Sequence, residues 1–203
     1  MSTPSTSAPL PALDARARLN LNPAHWGVRA LTEIGVAIAL AAVLGQVRIF
    51  WMPQGGSVSL ELLPIIFIAV RRGVVPAATA GLLYGLLQMY LPGFFYFHPA
   101  QVVLDYPLAF MSLAVAGFVD VRGWRSLALA VALAVLARFT CHFASGLIFF
   151  AAYAPAWEAA WMYAATYNLL YLVPEGILTT LLLWPLLKAY DAAFPGRGRR
   201  ALS

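Results

Sequence analysis

Long apolar runs separated by short polar breaks dominate the chain, near residues 30–50, 57–70, 74–91, 100–119, 126–151 and 161–187. A helix that crosses the hydrocarbon core of a bilayer needs about 20 predominantly apolar residues, so these runs predict six spanning helices. The breaks carry turn chemistry. Pro53, Gly55 and Gly56 interrupt WMPQGGSVS, Arg71-Arg72-Gly73 makes a tight turn, and Pro92-Gly93 opens the aromatic loop PGFFYFH. Aromatic residues of that kind suit a membrane–water interface. Pro99 fits the first turn of the fourth helix, with His98 near its cap. Pro64 falls inside the short second run and predicts a kink or a partly re-entrant segment. The expected fold class is all-α: a polytopic membrane protein of six transmembrane helices.

The charges give this pattern an orientation. Eleven of the thirteen Lys/Arg fall on one side of the six runs: Arg16, Arg18, Arg29, Arg71, Arg72, Arg122, Arg125, Lys188, Arg197, Arg199 and Arg200. The opposite loops, 52–56, 92–99 and 152–160, contain none. That is the positive-inside bias, and it places both termini in the cytoplasm of a multi-pass protein of the cell inner membrane. The division expected is a disordered lead over 1–28, a helical domain over 29–190 and a basic tail over 191–203.

Composition agrees and excludes several function classes. Hydrophobic residues make up 62% of the 203 and charged residues 10%, against roughly half and a quarter in soluble domains. No soluble ATPase domain fits beside six spans, and no Gly-rich phosphate loop is present. The net charge of +5 sits where anionic headgroups lie, so membrane lipid accounts for it and nucleic acid is not an expected partner. Cys141 is the single cysteine, which rules out an intrachain disulfide or a zinc–cysteine cluster. No repeat of the kind that builds many secondary transporters is visible.

Ionisable groups inside hydrocarbon are costly and therefore mark function. Glu61, Asp105, Arg138, His142 and Glu175 qualify. At about 1.5 Å rise per residue, Asp105 and His142 lie roughly 8 and 14 Å below the outer surface. Tyr163 and Asn168 occupy the same outer half from the sixth helix. On the fifth, Arg138, His142, Gly146 and Phe149 share one face; on the sixth, Tyr163, Tyr167 or Asn168, Tyr171 and Glu175 form a comparable stripe. A buried carboxylate, imidazole and amide among aromatic rings suit a small, flat, cationic ligand that makes hydrogen bonds. Each group also has a plainer reading. His142 could bond across helices, Asp105 could pair with Arg138, Arg138 with Glu175, and the tyrosines could simply pack. Glu61, at the start of its run, could face water. Ala37, Ala41 and Gly45 recur every fourth residue, a face on which another helix can approach closely, inside the bundle or outside it.

Several segments together resemble a known family. MPQGGSVS (52–59), RRG (71–73), HPAQVVLDY (98–106), ARFTCHFASGLIFFAAYAP (137–155) and TYNLLYLVP (166–174) look like the thiamin-specific S components of energy-coupling factor (ECF) transporters, in order over roughly residues 30–190. The resemblance implies a substrate-binding subunit that captures thiamin outside and topples within the membrane, docked on an ECF transmembrane coupling protein and two ECF ATPases. It implies no catalytic residue and no cofactor. Carried over by position, the family's acidic contact falls on Asp105 with Tyr106 beside it. Its histidine falls on His142 with Gly146 one turn later, and its tyrosine and asparagine on Tyr163 and Asn168. Phe150 stands where other members have Trp, and Asp105 where others have Glu. The loop aromatic that closes over the ligand falls on Trp51, and the small-residue patch for the coupling protein on Ala37 and Ala41. The rival expectations are an S component for an aminopyrimidine or thiazole precursor, a solitary ion-coupled carrier, and an intramembrane enzyme using Asp105 and His142 as acid and base.

Overall fold

The computed structural model describes residues 26–194. The predicted lead up to residue 25 and the tail from 195, with Arg16, Arg18, Arg197, Arg199 and Arg200, lie outside the described residues. Within them the chain forms helices α1 (Val28–Leu44), α2 (Leu62–Arg72), α3 (Val74–Gln88), α4 (Pro99–Phe118), α5 (Trp124–Phe149) and α6 (Ala160–Ala193). Three of them, α4, α5 and α6, are long and apolar enough to cross a membrane, and α3 is a shorter apolar helix. The protein is an all-helical, multi-pass membrane protein.

The first two apolar runs divide differently from the expectation. α1 ends at Leu44, and the chain then makes a small hairpin in which β1 (Phe50–Trp51) pairs antiparallel with β2 (Ser57–Val58). Gly45 at the end of α1 has a packing reason. A Cβ there would stand 2.7 Å from the Tyr84 hydroxyl and 2.8 Å from Glu61 Oε2. The hairpin turn runs through Gln54 and Gly55 at φ 60° and 95°, a left-handed conformation that glycine adopts without cost. Residues 57–61 are therefore strand and turn. Pro64 becomes the third residue of α2, where its missing N–H would be unpaired anyway, so it does not kink the helix. α6 continues to Ala193, past the expected domain boundary at 190.

The core lies between the helices. Ile34, Ala37 and Ala41 of α1 pack with Leu62, Ile65, Ile66 and Ala69 of α2, Ala77, Ala80 and Tyr84 of α3, and Phe110 and Leu113 of α4. Leu127, Ala130, Val131 and Ala134 of α5 join them, with Leu183 and Leu187 of α6. Ala37 and Ala41 are only 4% and 0% exposed. The face expected to receive a coupling protein is filled by the chain's own helices, the other of the two readings that its spacing allowed. Outside, Val36, Leu40, Leu129, Leu136, Leu170 and Ile177 are exposed, as helices facing lipid require.

α4 is irregular where it matters. Its middle, Leu104–Leu108, widens into a π turn around Pro107, which has no N–H to give to the helical ladder. Such turns recur at functional sites because they re-aim neighbouring side chains. α3 makes room for it with Gly81 and Gly85. A Cβ on Gly85 would lie 2.5 Å from Pro107 Cα, and one on Gly81 would lie 2.2 Å from the Phe110 carbonyl oxygen. The two backbones are in contact there.

Candidate functional site

The π turn puts Asp105 and Tyr106, adjacent in sequence, on the wall of one cavity. α5 contributes Arg138, His142, Ser145 and Gly146 to it, with Phe150 just past its end, and α6 contributes Tyr163, Ala164, Tyr167, Asn168 and Tyr171. The hairpin turn adds Gln54, Gly55, Gly56 and Ser57, while Gly45, Arg48, Glu61 and Gln88 complete the side nearest α1 and α3. Empty space between these walls comes to about 880 Å³, the open mouth included.

Three side chains hold Asp105 at the cavity wall. His142 Nδ1 stands 2.9 Å from Oδ1, while Gln101 Nε2 and the Ser145 hydroxyl donate to Oδ2 at 2.7 and 2.8 Å. Gln101 and Ser145 come from the same helical faces as Asp105 and His142, at i−4 and i+3. Contacts to both of its oxygens fix the carboxylate in direction. Arg138 does not pair with it, contrary to one of the expectations. The guanidinium lies deeper, bonding Glu61 Oε1 at 3.0 Å through Nη2, with Glu175 Oε2 at 3.9 Å from Nη1. Its Nε–H donates to His142 Nε2 at 3.1 Å, and its Cζ lies over the Phe110 ring, 4.1 Å from the centroid.

Glu61 therefore does not face water. It is 7% exposed and also accepts from the Tyr84 hydroxyl at 2.7 Å and Gln88 Nε2 at 2.6 Å. Its place at the start of an apolar run concealed this, because the strand and turn before α2 carry it into the bundle. Glu175 is fully buried and accepts from Ser59 Oγ at 2.9 Å.

The remaining walls are amide and aromatic. Asn168 donates to the Ala164 carbonyl at 2.8 Å and accepts from the Tyr171 hydroxyl at 2.8 Å. One N–H and one lone pair remain for a ligand. Gly146 lets α5 approach α6, since a Cβ there would stand 2.9 Å from Ala164 Cβ. Tyr106 is tied by its hydroxyl to the backbone of Phe95, at 2.7 Å from the amide and 3.2 Å from the carbonyl. Phe150 clusters with Phe95, Phe97 and Tyr153 at centroid distances of 6.0, 5.8 and 6.0 Å. Tyr163 and Tyr167 lie 6.0 Å apart along α6, and the Tyr167 hydroxyl ties down the hairpin turn at Gly56 N and Pro53 O.

Seven of the expected ligand residues thus meet in one cavity: Asp105, Tyr106, His142, Gly146, Phe150, Tyr163 and Asn168. Trp51 does not. It sits in β1, 69% exposed, with the Arg48 guanidinium 5.8 Å over its ring. The part of that loop which reaches the cavity is the turn, Gln54 to Ser57, because the hairpin pairing directs β1 away from it. Among the described residues no group of three or more His, Cys, Asp or Glu is placed to hold a metal ion.

Fold and cavity together define a polytopic membrane protein with a small-molecule pocket enclosed by its helices. Comparison with known proteins narrows the class. The family model described as thiamine transporter protein (YuaJ) matches residues 31–195, and the chain belongs to that family. The thiamine transporter ThiT of Bacillus subtilis is 37% identical over 167 residues, covering 75% of this chain and 87% of the relative. Its namesake from Lacticaseibacillus paracasei is 31% identical over 180 residues, covering 77% and 90%. A solved structure of ThiT from Listeria monocytogenes superposes with a TM-score of 0.72 at 26% identity, covering 82% of this chain and 97% of that one. These relatives are named as transporters, not as enzymes.

Proposed function

We propose that this chain is the substrate-capture subunit of an ECF-type importer and that its ligand is thiamin. The observation that carries the reading is Asp105: a carboxylate fixed by His142, Gln101 and Ser145 in a cavity walled by Tyr106, Phe150, Tyr163 and Tyr167. The thiazolium of thiamin is a permanent cation, for which a fixed anion and aromatic faces are the matching environment. Its aminopyrimidine has donors and acceptors that the free N–H and lone pair of Asn168 and the tyrosine hydroxyls can meet. The names carried by the Bacillus and Lacticaseibacillus relatives support the same ligand.

Capture takes place from the outer side, and delivery follows by toppling of the subunit on a transmembrane coupling protein driven by two ATPases. Support for external partners comes from the chain itself, which has no phosphate-binding Gly-rich loop. Ala37 and Ala41 are buried, so the docking surface for the coupling protein is formed by other residues.

The test is a titration of the purified, ligand-stripped protein with thiamin, followed by tryptophan fluorescence and by heat. Saturable one-to-one binding, with the isolated aminopyrimidine and thiazole moieties each at least a hundredfold weaker, is expected. Failure of a folded sample to bind thiamin rejects the ligand, and a tighter fit for one moiety transfers the assignment to a precursor. Co-purification of thiamin-loaded chain with a coupling protein and ATPases tests the importer arrangement.

A further inference from the structure

The contacts of Arg138 have a chemical consequence for the residue beside it. A guanidinium only donates hydrogen bonds and has no lone pair to accept one. Arg138 Nε points at His142 Nε2 across 3.1 Å, so Nε2 is the bare, accepting nitrogen of the imidazole. The ring proton then resides on Nδ1, where it donates to Asp105 Oδ1 at 2.9 Å. The other tautomer would set two donors against each other at Nε2 and a nitrogen lone pair against a carboxylate oxygen at Nδ1. Both contacts would be repulsive.

We propose that Arg138 is a positioning residue for ligand binding: by occupying His142 Nε2 it fixes the Nδ1–H tautomer, and that tautomer holds the Asp105 carboxylate in its ligand-facing direction. Arg138 acts on Asp105 through His142 and does not touch it. The groups facing this pair are Glu61 from the turn before α2, Tyr84 and Gln88 from α3, Asp105 from α4, and Glu175 and Tyr171 from α6. Glu61 takes the Nη2 end of the guanidinium, which leaves Nε free to serve His142. The Tyr171 ring packs edge-on against the imidazole, with centroids 6.1 Å apart at 71°. Arginine suits the position because its fork separates the two duties. Nη2 balances a carboxylate while Nε, its neighbour along the same edge of the fork, sets a tautomer.

This inference rests on the thiamin reading for its effect on affinity, but the tautomer itself is observable without any ligand. The experiment is nitrogen NMR of the full chain in detergent with ¹⁵N-labelled histidine, the His142 signals being identified by their loss in His142→Ala. The expected result is a protonated Nδ1 and an unprotonated Nε2 in the ligand-free protein. A protonated Nε2 with bare Nδ1 overturns the proposal outright, whatever any variant does.

Removing Arg138 alone would leave two buried carboxylates without a cation, so the variant of choice is Arg138→Met with Glu61→Gln, which keeps the net charge of the cluster. There the tautomer is expected to shift towards Nε2–H and thiamin affinity to fall by roughly tenfold to a hundredfold, the range for losing an ionic hydrogen bond. Glu61→Gln alone keeps the Nδ1–H tautomer. A tautomer unchanged in the double variant, or a changed tautomer with unchanged affinity, refutes the positioning role. Absence of thiamin binding in the unaltered protein defeats the ligand assignment and leaves the tautomer result standing.

Discussion

Two clusters of arginines and carboxylates lie in this bundle, and they are built on different terms. At the basic end, Arg72 makes two bonds of 2.6 Å to Glu33, which also takes Arg29 at 3.1 Å, and Arg71 pairs with Asp191. These pairs are partly exposed at Glu33, Arg29 and Arg72 and tie the ends of α1, α2 and α6 together. Beside the cavity, one buried guanidinium faces Glu61, Glu175 and an imidazole, and Arg138 Nη1 and Glu175 Oε2 make no hydrogen bond. Removing one member of such a buried group costs far more than removing an exposed partner. The basic end also holds one buried nitrogen without a hydrogen bond, Arg71 Nη2, but it lies away from the cavity and its pairs are structural. The Arg138 cluster keeps its unspent polar capacity beside the cavity.

The sharpest break of that comparison is Asp105→Ala. The carboxylate should matter more to binding than to folding, because it borders the open cavity while Gln101 and His142 keep other bonds, to the Phe95 carbonyl at 3.4 Å and from Arg138 Nε at 3.1 Å. Thiamin affinity is expected to fall roughly a hundredfold or more, in line with about 3 kcal/mol for a desolvated charge partner, while the thermal midpoint in detergent stays within a few degrees. A variant that loses the midpoint as well would make Asp105 structural, like Glu33. Gly85→Ala comes next, because it reaches the site through the core. Its Cβ would meet Pro107 Cα at 2.5 Å and push the π turn that presents Asp105 and Tyr106. Overpacking of this kind costs about 1–3 kcal/mol, so a lower unfolding temperature and a roughly tenfold weaker thiamin affinity are expected together. Unchanged affinity at lowered stability would separate the π turn from ligand binding.

The sequence made the helical bundle and most of the cavity wall readable because both follow from single residues in a simple period. A charged or amide side chain in an apolar run has to point inward, and Asp105, His142 and Asn168 do. What stayed hidden depended on contacts between distant segments. Phe50 and Trp51 continue an apolar run, and only pairing with Ser57 and Val58, six or more residues on, makes them strand and swings Trp51 out of the site. Glu61 is ambiguous for the same reason: its depth depends on whether residues 57–61 are helix or turn. Ala37 and Ala41 illustrate a different limit. Small residues at helical spacing announce a close helix neighbour and cannot say whether it belongs to the same chain. The roles of Arg138 and of the π turn required atomic positions, since neither a tautomer nor a widened helical turn has a sequence period.

Arg72→Ala gives the smallest expected effect and closes the comparison from its structural side. Arg72 and Glu33 have side chains 27% and 20% exposed, so water and salt screen their pair, and the two-pronged geometry is its main merit. Loss of the guanidinium leaves Glu33 with Arg29 and with solvent, and the helix ends remain joined by Arg71 and Asp191. About 1 kcal/mol or less of stability is therefore expected to go, seen as a slightly lower thermal midpoint. Thiamin affinity should remain within about twofold, because no residue of this cluster lines the cavity. Titration and thermal unfolding of the same preparation check both halves. A large loss of affinity at unchanged stability would mean that the basic end communicates with the cavity, and the division between a structural and a ligand-directed cluster would have to be given up.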